Sequence, residues 1–137
     1  MCSSGLQAYV YKKNEHNKIR SSEPALYLSL KREIFKTKSS RYLHVLSRQI
    51  KTDDNWQLLQ FVVMRDVVSS RMRYVPGFKD SLISSGTVQL LNADCYDTFW
   101  GVGLNYKSVR WTKESDLCGR NHLGVILMDM RKVLCLT

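Results

Sequence analysis

The sequence predicts an α+β fold: a compact, mostly helical single domain with a few short strands, spanning residues 1–137. Three observations lead there. Apolar residues recur at helical spacing through most of the chain. Two short runs, residues 7–12 and 88–92, read as strands instead, the first being rich in β-formers. No repeat, linker or low-complexity segment divides the chain, so one layered domain is the simplest arrangement.

In chain order, Gln7-Ala8-Tyr9-Val10-Tyr11-Lys12 is the first strand, and the polar stretch from Asn14 to Lys18 is a turn or loop. Ser21-Ser22-Glu23-Pro24 is a helix start: Ser caps, Glu suits the positive helix end and Pro fits the first turn. Leu26, Leu30 and Ile34 then recur every four residues and carry that helix to about Phe35. Residues 39–50 form a second helix with Tyr42, Leu43, Leu46 and Ile50 on one side. Asp53-Asp54-Asn55 precedes the longest helix, Trp56 to Tyr74, whose apolar residues cover more than one stripe and predict a central, buried position. Pro76-Gly77 breaks it. Phe78 to Ser84 is a short helix stopped near Gly86, Val88 to Asn92 a short strand, and Gly103 to Cys118 a polar loop holding Trp111. The last helix runs from about Gly119 to Val133, with Leu123, Ile126, Leu127, Met130 and Leu134 facing the core.

A hydrophobic fraction of 44% supports a real core. No run of about 18 apolar residues exists to span a membrane, and no signal pattern opens the chain, so a cytoplasmic, intracellular protein is expected. The cysteines, Cys2, Cys95, Cys118 and Cys135, form no Cys-x-x-Cys pair, and His16, His44 and His122 are scattered. That argues against zinc and for free thiols. No residue pattern asks for a metal or redox cofactor. The net charge is +9, and +8 of it falls in residues 1–51, which hold eleven Lys/Arg against three acids. Such asymmetry points to an acidic partner, nucleic acid first. Lys31, Arg32, Lys36, Lys38, Arg41 and Arg48, with Tyr42 among them, could track a polynucleotide, although such runs are commonly just solvated faces.

Site-like residues concentrate in the last third. Asp97, Trp100, Gly101 and Gly103 follow one another closely, and Gly119-Arg120-Asn121-His122-Leu123-Gly124 comes after a loop, with Leu127, Met128 and Arg131 beyond. This ordered set resembles the NADAR (YbiA-like) family, whose signature is an acid, two residues, Trp-Gly-x-Gly, then Gly-[Lys/Arg]-Asn-x-Leu-Gly-x-x-Leu-Met-x-x-Arg. Upstream, Asn55-Trp56 and Val63-Met64-Arg65 fit the family's long helix, and Ser22-Glu23 with Tyr27 fits its helix start.

The resemblance implies the YbiA-like, compact and mostly helical α+β fold. It also implies hydrolysis of N-glycosidic bonds in ADP-ribose-type or phosphoribosyl compounds, with ADP-ribosylated nucleic acid or an ADP-ribose-type nucleotide as partner. Removal of ADP-ribose from guanine in nucleic acid is the first expectation. The alternatives are a riboflavin-pathway phosphoribosyl intermediate as substrate, or a binding module with weak catalysis. Asn92 stands where the family has Glu, and Arg71-Met72 where it has Lys and commonly Phe; these differences motivate the binding-module alternative.

Cleaving such a bond builds positive charge on the ribose, which a carboxylate stabilises while water attacks. Glu23 and Asp97 are the candidate catalytic carboxylates, although Glu23 also suits a first-turn helix charge and Asp97 a turn cap. Asn92 could orient a ribose hydroxyl or a base edge. Trp100 could stack a released ring or simply pack in the core. Gly101 and Gly103 permit close backbone approach. Gly119, Arg120 and Asn121 sit at a predicted helix start, where free N–H groups, the helix dipole and a guanidinium would favour phosphate. Arg71 could add a second phosphate contact.

Overall fold

The computed structural model describes residues 4–137; Cys2 lies outside them. Every regular element among the described residues is helical, so the α+β expectation is overturned and the fold is all-α. The helices are α1 (Gly5–Glu15), α2 (Pro24–Lys36), α3 (Ser40–Gln49), α4 (Trp56–Tyr74), α5 (Phe78–Ser84), α6 (Tyr106–Val109) and α7 (His122–Cys135), with a 3-10 turn over Glu114–Asp116. The chain divides into two compact units, Met1–Arg71 and Met72–Thr137, and the boundary falls inside α4. No helix is long and apolar enough to cross a membrane among the described residues.

The predicted first strand is α1. Ser4 caps it by accepting from the Gln7 N–H at 3.0 Å. Its buried residues are Gln7, Tyr9, Val10 and Asn14, and two of the four are polar. A hydrophobic period is therefore missing from the sequence although the helix has an inward face. The buried polar groups have definite work. Gln7 Nε2 donates to the carbonyls of Ile34, Phe35 and Thr37, each at 3.0 Å. These are carbonyls at the C-terminus of α2, where a helix has no acceptors' partners of its own. Asn14 donates to the Tyr27 carbonyl at 3.4 Å and accepts from Asn17 Nδ2 at 3.0 Å.

In the first unit α1, α2 and α3 pack on one another around Val10, Tyr27, Leu30, Ile34, Leu43 and Leu46. Trp56, at the start of α4, stacks obliquely against Tyr9 and His16, with ring centroids 6.0 and 5.2 Å away. The α4 helix buries Trp56, Val63, Met64, Val67 and Val68 while Leu58 and Val62 stay exposed. It presents one inward face rather than being buried all round. Lys13 reaches α3, donating to the Ser47 carbonyl and hydroxyl at 3.0 Å each, and burial pushes its ammonium below the usual lysine range.

The second predicted strand, residues 88–92, is likewise not a strand: it has no regular secondary structure. Three of its backbone groups are bonded by the side chains of Asn121, just before α7, and Arg131 within it.

Replacing Gln7 with Met keeps the volume and removes the donor. Unpaired helix-end carbonyls should lower the unfolding free energy by roughly 2 kcal/mol, read as a lower urea midpoint at constant slope. An unmoved midpoint would show that Gln7 does not hold the end of α2.

Candidate functional site

In the second unit the segment 85–92 runs antiparallel to α7 and is pinned at both ends. Arg131, only 6% exposed, donates from Nη1 to the Ser85 hydroxyl and from Nη2 to the Val88 carbonyl, both at 2.8 Å. Ten residues earlier, the Asn121 carboxamide donates to the Leu90 carbonyl at 2.9 Å and accepts from the Asn92 N–H at 2.8 Å. A carbonyl and an N–H flanking one residue are what a parallel strand's peptide would engage. One side chain thus engages this stretch as a neighbouring strand residue would, although the stretch belongs to no sheet.

Gly124 makes this possible. A Cβ there would land on the Asn121 carboxamide and on the Leu90 carbonyl. Asn121 is itself left-handed, at φ 54°, and starts α7 without making a cap hydrogen bond to it with its side chain.

The chain between residues 92 and 103 closes on itself. The Asn92 carbonyl accepts from Val102 N–H at 3.0 Å, and the Asp97 carbonyl accepts from Gly103 N–H at 3.1 Å. Asp97 Oδ1 accepts from the N–H groups of Phe99 and Trp100 at 2.9 and 2.7 Å. At least one oxygen of this candidate catalytic carboxylate is thus committed to holding the turn. A Cβ on Gly101 would press the Asn92 and Asp97 carbonyls at 2.8 and 2.9 Å, and one on Gly119 would overlap the backbone of Gly101 and Val102. Gly103 has φ 73°. Gly101 and Gly119 are required by backbone meeting backbone, Gly103 by its left-handed backbone.

This loop then caps α7. The N–H groups of Arg120, Asn121, His122 and Leu123 donate to the carbonyls of Thr98, Gly101, Phe99 and Trp100, at 2.7 Å for the first and 3.1 Å for the rest. The free donors expected for a phosphate are occupied at these four positions. What remains for an anion is the exposed Arg120 side chain. Trp100 is 5% exposed, edge-on to Phe99 at 4.8 Å and to His122 at 6.3 Å. Its surroundings are those of a packed ring rather than an open platform.

The structure therefore brings Asn92, Asp97, Trp100, Gly101, Gly103, Gly119, Arg120 and Asn121 into one knot within the second unit. Arg131 and the carbonyls of residues 98–101 belong to it and were not among the expected site residues. Arg131 does carry a signal: seven residues from Gly124 it shares the same helix face, and a guanidinium at a core-facing position implies paired burial. Cys95, Cys118 and Cys135 are exposed free thiols.

Glu23 and Arg71 belong to the first unit. Glu23 occupies the N-cap position of α2, is exposed and makes no cap hydrogen bond with its side chain, so the expected serine cap is not what starts this helix. Arg71 is half-buried, its stem against Gly5. A groove of about 740 Å³ opens along α1 and α2, lined by Tyr11, Ala25, Leu28, Lys31, Arg32, Phe35 and Lys36. Beside it Glu15 accepts from the Tyr27 hydroxyl at 2.9 Å and pairs with Arg20 and Lys31 at 3.4 and 3.7 Å. Burial first, then the Glu15 hydrogen bond, push the Tyr27 phenol up. The Tyr11 hydrogen bond is the first cause that raises Lys31 above the usual lysine range, with the Glu15 charge a smaller one.

Residues 5–135 match the family model of the NADAR domain. An N-glycosidase of Nostoc punctiforme is 29% identical over 86 residues, which is 63% of this chain and 47% of that protein. The chain therefore spans about half the length of the curated relative it matches.

Gly→Ala inside a helix ordinarily stabilises by about 1 kcal/mol. Gly124→Ala should instead destabilise, by roughly 2 kcal/mol or more, because the methyl displaces the Asn121 carboxamide. Thermal or urea unfolding decides, and a neutral or stabilised variant would refute the account of Gly124.

Proposed function

Because the chain belongs to the NADAR family, we propose that it is an N-glycosidase that hydrolyses the N-glycosidic bond of ADP-ribosyl adducts, removing ADP-ribose from guanine bases in nucleic acid. The family match carries this reading: it spans 5–135 and includes both carboxylates and every motif residue named above. The relative named an N-glycosidase supports the reaction class. The basic groove and the charge of residues 1–51 support a phosphate-rich substrate.

In this reaction the bond from ribose C1′ to the base nitrogen breaks. Water supplies the hydroxyl to C1′ and, through a carboxylate, a proton to the departing base. Glu23 is assigned the carboxylate role, since its side chain is exposed and not spent on capping its helix. Asp97 is assigned a positioning role, because its Oδ1 holds the Phe99 and Trp100 N–H groups. Arg120, exposed, and Arg71 are assigned phosphate contacts. Asn92, Trp100, Gly101, Gly103, Gly119 and Asn121 support binding by shaping the loop that carries Arg120. Asn92 favours a second reading, a module that binds the nucleotide with little turnover, because an amide cannot serve as a base where the family carries Glu.

Incubation with ADP-ribosylated guanine DNA and RNA, and separately with free ADP-ribose conjugates, followed by mass spectrometry, tests both. Release of ADP-ribose from the modified nucleic acid is expected. Glu23→Gln should slow it by about 100-fold or more while binding persists. An unchanged rate would remove Glu23 from the chemistry. Binding without release from any substrate would establish the second reading.

A further inference from the structure

We propose that the segment from Asn105 to Lys113 is a binding site for single-stranded nucleic acid, with Tyr106 and Trp111 as base-stacking faces and Lys107, Arg110 and Lys113 as phosphate contacts. The site needs no turnover and stands apart from the glycosidase reading.

The segment is a built turn rather than a loose loop. Asn105 caps α6, accepting from Ser108 N–H at 2.9 Å. Thr112 Oγ1 donates to the Ser108 carbonyl at 2.7 Å, and the Trp111 N–H to the same carbonyl at 3.2 Å. Val109 and Thr112 are half-buried, whereas the five residues of the proposed site are all exposed. Trp111 is 86% and Tyr106 68% exposed. Trp56 and Trp100 are each 5% exposed, so the display of Trp111 is particular to this turn. Keeping two large rings in water forgoes the burial that such rings ordinarily supply.

The charge is one-sided: three cations and no acid across residues 105–113, bounded by Glu114 and Asp116 in the 3-10 turn that follows. The Arg110 guanidinium carbon lies 5.8 Å from the Tyr106 ring centroid. That stacked pair offers a flat face and a charge together. Exposed aromatics interleaved with cations match bases and phosphates alternating along a single strand. A duplex hides its base faces, and an acidic peptide would use the cations but leave the rings unengaged.

The experiment uses the full chain, a thymidine oligonucleotide and an abasic oligonucleotide of equal length, with intrinsic tryptophan emission as the readout. Trp111 is the exposed emitter, so stacking should quench its emission with the thymidine strand and not with the abasic one. Trp111→Ala should weaken thymidine-strand binding about tenfold and leave abasic binding unchanged, with an unaltered circular dichroism spectrum. Lys107→Gln should lower the salt dependence of binding by about one released ion. Absence of quenching, or equal affinity in Trp111→Ala, would overturn the site and leave the rings to a protein partner. Neither result depends on whether ADP-ribose is released.

Discussion

The carboxamide of Asn121 is the contact on which the second unit depends. It ties the backbone at Leu90 and Asn92 to the first turn of α7, while its own N–H reaches the Gly101 carbonyl. The segment at residues 90–92, the loop at Gly101 and the start of α7 meet at one residue. Gly124 is empty so that the amide can lie across it, and Gly119 and Gly101 are empty so that the two backbones can touch. An amide supplies a donor and an acceptor on two atoms in one plane; an ionised carboxylate has no donor, and a hydroxyl must offer both from a single oxygen. The signature that resembles a ligand-binding fingerprint is thus, first, a device for folding an irregular segment and a tight loop onto a helix without a sheet.

The first unit uses buried amides differently. Gln7 and Asn14 lie inward on α1, each meeting α2 backbone carbonyls. Its charges gather around Glu15, which holds a tyrosine, an arginine and a lysine together. The ion pairs are exposed enough to add little stability. Their effect is to fix where Lys31 stands at the groove.

How much could be read from the sequence follows from these contacts. Helices α4 and α5 carry the bounds expected from their punctuation, the acidic start at Asp53 to Asn55 and the break at Pro76-Gly77. Periodicity also located α2, α3 and α7 within a few residues. The α1 helix was illegible because its buried face holds Gln7 and Asn14, which erase the apolar period that marks a helix. Residues 88–92 read as a strand in sequence and form none; what holds them is a side chain some thirty residues away, which no local pattern displays. The same split holds for the site. The spacing of Asp97, Trp100, Gly101, Gly103, Gly119 and Asn121 marked them as a group. What the group does could be seen only once the carbonyls of Thr98 to Gly101 were found occupying the N–H groups from Arg120 to Leu123.

Gln7 has a consequence for the order in which the first unit assembles. The last carbonyls of α2 are met by a residue 27 to 30 positions upstream, not by a local capping sequence. A growing α2 cannot finish itself. Its final turn is completed by protein only when α1 has docked, so that turn belongs to the cooperative, long-range stage of folding rather than to local helix formation.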